Sequence, residues 1–281
     1  MTKRVIISGA SGFTGRATVE NFISNGWEVV PLVRKPSGLI NELIIDLGKK
    51  NPFYKLSLLP KIDAIIHLAS KVDFSSKADF SSFMPTNALM TSYLAQLAKK
   101  WSSHLVFTSG IIVYGDIEYI DSTSVPNPNN EYGKAKIMAE NIIKSEEISH
   151  TILRISGIYG YMGPEHLGLN KAITASLDNA LIPILKGKGS AKRNYIYVND
   201  LARVIRLCVE KKIQGTHLLG GSETISMRKM LEAICDTILD NAQLSTEIGN
   251  ESKSVVVKTS AIFPNSRTFI QTLNEMKSKY A

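Results

Sequence analysis

The sequence has little of several features that mark specialised classes of protein. Its 281 residues contain two cysteines, Cys208 and Cys235, and no run of the roughly 18 apolar residues that a membrane helix needs. Two distant cysteines without histidine partners make a poor metal site or redox couple, so we expect buried structural thiols. The first residues lead directly into an apolar strand pattern and not into a signal peptide, so we expect a cytoplasmic protein.

Several kinds of functional site are missing as well. His150, His166 and His217 show no metal-ligand spacing, and the sequence has no paired carboxylates or nucleophile elbow. We therefore expect no metal. The net charge is +8, which favours anionic partners. The basic residues are scattered and form no cluster with aromatic residues, so we expect a phosphorylated small molecule as partner, and neither nucleic acid nor a membrane.

Short apolar runs alternate with helical patterns in the first half of the chain. Helices are predicted at about residues 14–25, 84–100 and 132–147. The predicted strands are Arg4–Ser8, Glu28–Val33, Leu43–Asp46, Ala64–His67, Leu105–Ser109 and Thr151–Ile155. Nearly continuous apolar strands separated by helices predict a parallel sheet covered on both faces. With right-handed crossovers, this is a doubly wound α/β fold of the Rossmann type.

The alternation changes after Ile155, where glycines and a proline interrupt the pattern. Further helices are predicted near residues 170–179, 200–210 and 226–239, with strands near 194–198 and 216–219. We predict a dinucleotide-binding core over residues 1–155 and a small substrate-binding lobe over residues 156–281. No repeat or low-complexity linker separates them, so we expect the lobe to be interleaved with the core as one continuous unit.

The strongest local motif is Gly9-Ala-Ser-Gly12-Phe-Thr-Gly15, between the first predicted strand and helix. Gly9 permits a tight turn, Gly12 lets the backbone approach a pyrophosphate, and Gly15 allows close packing of helix and strand. The helix N-terminus adds partial positive charge. The candidate cofactor residues of this motif are Gly9, Ser11, Gly12, Phe13, Thr14 and Gly15.

The end of the second strand indicates which dinucleotide is bound. An acidic residue at this point would accept a hydrogen bond from the ribose 2′-hydroxyl of NAD, but the sequence has Arg34 there. A guanidinium suits bidentate contact with a 2′-phosphate. The sequence therefore favours NADP(H), with NAD(H) possible. The alternative is that Arg34 is simply a solvated surface residue.

A third motif, Tyr132-Gly-Lys-Ala-Lys136, places a phenol and an ammonium on the same helix face. A nearby positive charge lowers the pKa of a tyrosine, which would make Tyr132 a usable proton donor or acceptor. The same spacing also occurs by chance on exposed helix faces.

Together these motifs resemble the extended short-chain dehydrogenase/reductases, which include nucleotide-sugar epimerases, dehydratases and ketoreductases. The resemblance extends from Val5 to about Leu239. Its other matches are Asp46-Leu47, His67-Leu-Ala-Ser70, Asn87, Thr108-Ser-Gly-Ile-Ile-Val-Tyr-Gly115, Leu153-Arg-Ile-Ser-Gly-Ile-Tyr-Gly160 and Arg193-Asn-Tyr-Ile-Tyr-Val-Asn-Asp200.

The resemblance implies particular cofactor contacts. Asp46 and Leu47 would contact the adenine, and Leu68 and Ala69 would pass close to the phosphates and ribose. Lys136 would hold the nicotinamide ribose.

It also implies a reaction. Tyr132 would act as general acid/base in an oxidoreductase or epimerase working at C4 of a nucleotide-linked keto sugar. Arg193 would face the diphosphate of that substrate. A homodimer would form through the helices near residues 84–100 and 132–147.

The chain departs from the family pattern in three respects. Gly110 stands where the family has a catalytic Ser or Thr, and Ser109 is a candidate replacement only if its side chain can reach the site, because neighbouring strand residues face opposite sides. Ile111 and Ile112 replace the acidic pair of dehydratases. The tail, residues 244–281, lacks a Leu-Gly-Trp segment.

These departures keep two alternative functions open. One is an NADPH-dependent reductase of a small carbonyl compound, which the divergent tail favours and Arg193 argues against. The other is a non-catalytic NADP-binding sensor, suggested by Gly110 and opposed by the intact pair of Tyr132 and Lys136.

Overall fold

The computed structural model describes residues 2–45, 52–73, 75 and 78–281, except for the side chains of residues 52 and 53. Its strands, in chain order, are β1 (Arg4–Ser8), β2 (Glu28–Val33), β3 (Leu43–Ile44), β4 (Ala64–His67), β5 (His104–Gly110), β6 (Tyr119–Ile120), β7 (His150–Ile155), β8 (Ile158–Tyr159), β9 (Ile184–Lys186), β10 (Lys192–Arg193), β11 (Ile196–Tyr197), β12 (Gly215–Leu219), β13 (Ile225–Ser226), β14 (Ser245–Glu247) and β15 (Val256–Val257).

The helices complete the element order. They are α1 (Phe13–Ser24), α2 (Pro52–Ser57), α3 (Met90–Trp101), α4 (Glu131–Ser145), α5 (Gly168–Asn179), α6 (Val198–Lys211), α7 (Met227–Thr237) and α8 (Phe269–Tyr280). A π-helical segment, Met84–Leu89, runs directly into α3, so the helix predicted near residues 84–100 begins with a wider turn.

The central sheet has seven strands in the order β3-β2-β1-β4-β5-β7-β12 and is parallel. Val5 in β1 pairs with Val29 in β2 on one side and with Ala64 in β4 on the other. The strand order reverses at this point, because the chain crosses from one side of β1 to the other. In open α/β sheets, ligands bind beyond the carboxyl ends of the strands at such a switch point. The predicted doubly wound fold is confirmed.

The core explains why the strands are almost wholly apolar. Val5, Ile6 and Ile7 are fully buried, as expected for a strand with helices on both faces of the sheet. On one face, Ile6 and Leu105 belong to a buried cluster to which α3 and α4 contribute. Burial of these side chains is the main stabilising contribution to this fold.

The chain forms two compact units, each discontinuous in sequence. Unit 1 comprises Met1–Asp116, Val125–Arg154 and Leu201–His217, and unit 2 comprises Ile117–Ser124, Ile155–Asp200 and Leu218–Ala281. Residues 201–217, which the sequence analysis places in the lobe, therefore cluster with unit 1. Unit 2 contains four two-stranded sheets, β6 with β15, β8 with β11, β9 with β14 and β10 with β13.

Candidate active site

The glycine-rich turn joins the end of β1 to the start of α1. Gly9 has a positive φ of 70°, and a Cβ atom there would lie 2.7 Å from the Ala69 nitrogen. Glycine is therefore required at this position. A side chain on Gly15 would overlap the Gly9 carbonyl oxygen. Gly12 is the N-cap of α1, so the turn presents backbone N–H groups at a helix N-terminus, an arrangement that suits a phosphate group.

A cavity of about 530 Å³ adjoins this turn. The predicted cofactor residues that line it are Gly9, Ser11, Gly12, Arg34, Leu68 and Ala69. Phe13 and Thr14 lie in the first turn of α1, with Gly15 directly after them. Asp46 and Leu47 lie outside the described residues. Backbone exposed at glycines, an exposed guanidinium and an adjoining cavity of this size fit a nicotinamide dinucleotide.

A buried histidine joins β1 and β4 to the start of α3. His67 Nδ1 lies 2.8 Å from Ser8 Oγ, and its Nε2 lies 2.9 Å from Thr91 Oγ1. Thr91 donates its hydroxyl hydrogen to the carbonyl oxygen of Asn87, so it accepts from Nε2–H, and Nδ1 accepts from Ser8. Burial, with a contribution from Lys136, lowers the pKa of His67 to about 3. His67 is therefore a neutral structural residue.

The same network positions the loop of residues 68–71, which we call the cavity loop. The Ala69 N–H donates to Ser8 Oγ at 3.3 Å. The Lys71 N–H donates to Asn87 Oδ1 at 2.8 Å, and Asn87 Nδ2 donates back to the Lys71 carbonyl oxygen at 3.3 Å. Both ends of the cavity loop are thus held by hydrogen bonds from unit 1, which fixes the wall of the cavity.

Tyr132 and Lys136 lie on the first turns of α4. This helix begins after Asn130, whose side chain accepts a hydrogen bond from the Gly133 N–H at 2.8 Å. Tyr132 is half-buried, whereas Lys136 is only 4% exposed. The Lys136 ammonium donates to the Thr108 carbonyl oxygen at 2.9 Å, so α4 is joined to the end of β5 at the site.

Burial sets the proton affinities of this pair. It lowers the pKa of Lys136 to about 8, although the Glu140 carboxylate opposes this shift. Burial raises the pKa of Tyr132, while a hydrogen bond with the Ser70 side chain lowers it. The predicted net lowering of the Tyr132 pKa by Lys136 is therefore wrong. Lys136 Nζ lies over the tyrosine ring, 5.7 Å from its centroid. The desolvation of the phenolate is nevertheless the largest effect on the Tyr132 pKa, and it raises that pKa.

The end of β5 carries two hydroxyl groups next to Gly110, those of Thr108 and Ser109. The strand continues through Gly110, so Ser109 and its neighbours face opposite sides of the sheet. Thr108 Oγ1 donates to the His67 carbonyl oxygen at 3.4 Å. Ser109 is 6% exposed, and its hydroxyl has no hydrogen-bond partner among the described residues.

A buried ion pair, which the sequence analysis did not identify, joins α4 to β7. Arg154 donates to both carboxylate oxygens of Glu140, at 3.0 and 2.7 Å, and to the Tyr114 hydroxyl at 2.8 Å. Glu140 is fully buried and Arg154 is 8% exposed. Glu140 follows Lys136 by one helical turn, so the two side chains lie on the same face of α4. A charged residue at this spacing on an otherwise apolar helix face was the sequence signal that could have predicted a buried ion pair.

Unit 2 contains the remaining predicted residue, Arg193, in β10. It is half-buried, and its guanidinium donates to the Lys192 carbonyl oxygen at 2.9 Å. Unit 2 also has its own cavity of about 530 Å³, between α5, the segment around β9 and the start of α7.

The described part of the chain contains no group of three or more His, Cys, Asp or Glu side chains that could hold a metal ion. None of the helices in that part is both long and apolar enough to cross a membrane.

Comparison with known proteins identifies the family. The model of the NAD dependent epimerase/dehydratase family matches residues 5–220, which is most of the chain. The protein therefore belongs to this family, and the predicted resemblance is confirmed.

Individual relatives agree with this assignment. The chain is 26% identical to UDP-glucose 4-epimerase of Neisseria meningitidis serogroup C, covering 82% of this chain and 81% of that protein. It is also 26% identical to dTDP-glucose 4,6-dehydratase of Salmonella typhimurium, covering 84% and 76%. UDP-glucuronic acid 4-epimerase from Bacillus cereus, solved in complex with NAD, superposes with a TM-score of 0.80 at 18% identity, covering 98% of this chain and 97% of that one. The last similarity shows the fold.

Proposed function

We propose that the protein is an NADP(H)-dependent oxidoreductase or epimerase that acts at C4 of a nucleotide-linked sugar. The observation that carries this proposal is the geometry around the buried Lys136, whose ammonium donates to the Thr108 carbonyl oxygen at 2.9 Å and lies 5.7 Å from the centroid of the Tyr132 ring. This pair and the cavity beside the glycine-rich turn both lie within unit 1. A nicotinamide cofactor bound there would supply or accept the hydride.

The residues of this chain would then transfer the proton and bind the cofactor and the substrate. Tyr132 would take the proton from the C4 hydroxyl during oxidation and return it during reduction. Lys136 would hold the nicotinamide ribose, since its ammonium lies between the tyrosine ring and the end of β5. Ser109 remains the proposed catalytic hydroxyl, and contact with the substrate would require its buried Oγ, which has no partner among the described residues, to become accessible. Arg193 is proposed to bind the diphosphate.

The test of this function is a substrate panel. UDP- and dTDP-linked hexoses and their 4-keto forms would be incubated with each nicotinamide cofactor, while nicotinamide absorbance and sugar products are followed. Epimers or reduced sugars support the proposal. Reduction of small carbonyl compounds alone would favour the alternative substrate class. Tight NADP(H) binding without turnover of any carbonyl would favour the sensor function.

The cofactor preference is tested at Arg34, an exposed residue of the cavity. Because a guanidinium can make charge-assisted hydrogen bonds to the 2′-phosphate, Arg34→Ala should weaken NADP(H) binding by roughly 1.5–3 kcal/mol. NAD(H) binding should hardly change. Titration calorimetry with both cofactors measures the difference. Lys35→Ala, the adjacent exposed cation, is the matched control, and equal affinity of the unmodified protein for both cofactors would contradict the proposed preference.

We also propose that the protein is a homodimer formed through the helices near residues 84–100 and 132–147. Met84 and Leu89 are 41% and 42% exposed on the first of these helices, which is apolar surface that a second copy could cover. Sedimentation at micromolar concentration should give twice the chain mass of 30.9 kDa, and Leu89→Arg should shift the population towards monomer. A monomer in the unmodified protein would refute this.

A further inference from the structure

The charged residues that line the cavity beside the glycine-rich turn are all of one sign. Among the described residues, Arg34 and Lys71 line this cavity and no Asp or Glu does. A nicotinamide dinucleotide is an anion, because its pyrophosphate is charged, and NADP(H) has a further phosphate on the adenosine ribose. The charge of the cavity therefore complements such a ligand. The cofactor contacts proposed above use the guanidinium of Arg34 and give no role to the ammonium of Lys71.

The order of the strands places these two cations on opposite sides of the glycine-rich turn. Strand β1 lies between β2 and β4 in the sheet. Arg34 directly follows the last residue of β2, and Lys71 lies in the cavity loop that follows β4. The turn itself follows β1, at the edge of the sheet where ligands of such folds bind. A dinucleotide whose pyrophosphate lies at the turn would therefore extend towards Arg34 on one side and towards Lys71 on the other.

Lys71 lies on the side of the residue proposed to transfer the proton. Its Nζ is 5.3 Å from the centroid of the Phe83 ring. Phe83 is fully buried, and the centroid of its ring is 6.1 Å from that of the Tyr132 ring. Lys136, which is proposed to hold the nicotinamide ribose, lies over the same tyrosine ring. Lys71 therefore belongs to the nicotinamide half of the cavity, whereas Arg34 belongs to the adenosine half.

The backbone of Lys71 is fixed, whereas its side chain is intrinsically flexible. The Lys71 N–H donates to Asn87 Oδ1 at 2.8 Å, and Asn87 Nδ2 donates to the Lys71 carbonyl oxygen at 3.3 Å. Asn87 is itself buried. A lysine carries its ammonium on a flexible four-carbon stem. The ammonium can therefore turn from the face of the Phe83 ring to a phosphate while the backbone of the cavity loop stays in place.

The acidic residues that follow Lys71 in the sequence are held within their own segment. Asp73 Oδ1 accepts a hydrogen bond from the Ser75 N–H at 2.9 Å. Asp79 Oδ1 accepts from the Ser81 N–H at 3.3 Å. Neither carboxylate lines the cavity, so a phosphate bound there would meet the positive charge of Lys71 without an acidic side chain of the described lining beside it.

We infer that the Lys71 ammonium binds the phosphate of the nicotinamide half of the dinucleotide. Arg34 and Lys71 would then hold the two halves of the cofactor from either side of the glycine-rich turn. This inference rests on the part of the proposed function in which a nicotinamide dinucleotide occupies the cavity, and it holds for any substrate. It also makes Lys71, unlike Arg34, indifferent to the 2′-phosphate.

The test compares ligands that differ by one phosphate. ADP carries a second phosphate, which corresponds to that of the nicotinamide half, and AMP lacks it. Calorimetric titration of the full-length protein gives the dissociation constants of NAD, NADP, ADP and AMP. Lys71→Met removes the charge and retains an apolar stem. It should weaken the binding of NAD, NADP and ADP by about 10-fold, the size expected when a hydrogen bond between charged groups is lost. The affinity for AMP should not change.

Three variants control this measurement. Lys71→Arg retains the positive charge and should retain most of the affinity for ADP. Lys35→Met removes an exposed cation that does not line the cavity, and should leave all four dissociation constants unchanged. Arg34→Ala should give a different pattern, in which NADP binding weakens and NAD binding hardly changes.

The outcomes separate this inference from the proposed function. Unchanged affinity of Lys71→Met for NAD and ADP would overturn the inference, and so would an equal loss for AMP and ADP. A higher KM for a sugar substrate with unchanged cofactor affinity would overturn it too, because the ammonium would then act on the substrate. If the unmodified protein bound neither NAD nor NADP, both the inference and the proposed function would fail. The expected binding pattern in a protein that turns over no nucleotide sugar would support the Lys71 assignment and refute the proposed catalysis.

Discussion

Tyr132→Phe should nearly abolish turnover while leaving cofactor affinity close to that of the unmodified protein. The substitution removes only the phenolic hydroxyl, and the ring remains beside Phe83 and under Lys136. Loss of general acid/base catalysis typically costs about 10²–10⁴-fold in rate, so kcat with the best substrate of the panel should fall by that factor. Single-turnover measurements and fluorescence titration of the cofactor separate the two effects.

The control for this variant is Tyr119→Phe, the same chemical change at an exposed tyrosine in unit 2, which should retain full activity. If Tyr132→Phe kept full turnover on an accepted substrate, the proposed mechanism would be wrong. A matched loss of cofactor affinity would instead indicate that the phenol acts in binding.

Glu140→Ala should destabilise the protein by about 3–5 kcal/mol, because it leaves the buried Arg154 guanidinium without its carboxylate. Both partners are nearly excluded from water, and the pair has bidentate geometry. Little of the lost interaction can therefore be replaced by solvent. Urea unfolding, followed by the midpoint and slope of the transition, measures the change in the free energy of unfolding.

The matched control lies on the same helix. Lys134 forms an ion pair with Glu131 at 2.6 Å, but the lysine side chain is half exposed. Exposed pairs contribute about 0.2–1 kcal/mol, so Lys134→Ala should have a small effect. A loss below about 1 kcal/mol in Glu140→Ala would mean that the Arg154 side chain finds water or another acceptor when its partner is removed.

Some features that the sequence analysis missed had local signals. Helix α8 begins at Thr268, whose side chain forms a capping box with Gln271. That pattern of Thr and Gln three residues apart could have predicted the helix. The π-helical segment Met84–Leu89 offers no comparable pattern. Its buried Asn87 accepts a hydrogen bond from the Lys71 N–H, a contact between residues distant in the sequence.

Features that depend on neighbours along the chain could be predicted from the sequence alone. The requirement for glycine at Gly9 and Gly15 follows from the sterics of a turn between a strand and a helix. The shared face of Tyr132 and Lys136 follows from helical periodicity.

Tertiary structure decided the properties that depend on segments distant in the sequence. Burial, and not the adjacent ammonium, sets the direction of the Tyr132 pKa shift. Packing also decided the environment of the β5 hydroxyls: Thr108 donates to the His67 carbonyl oxygen, and Ser109 is buried. Desolvation and hydrogen-bond geometry arise only when separate elements pack together, so neither can be obtained from local spacing.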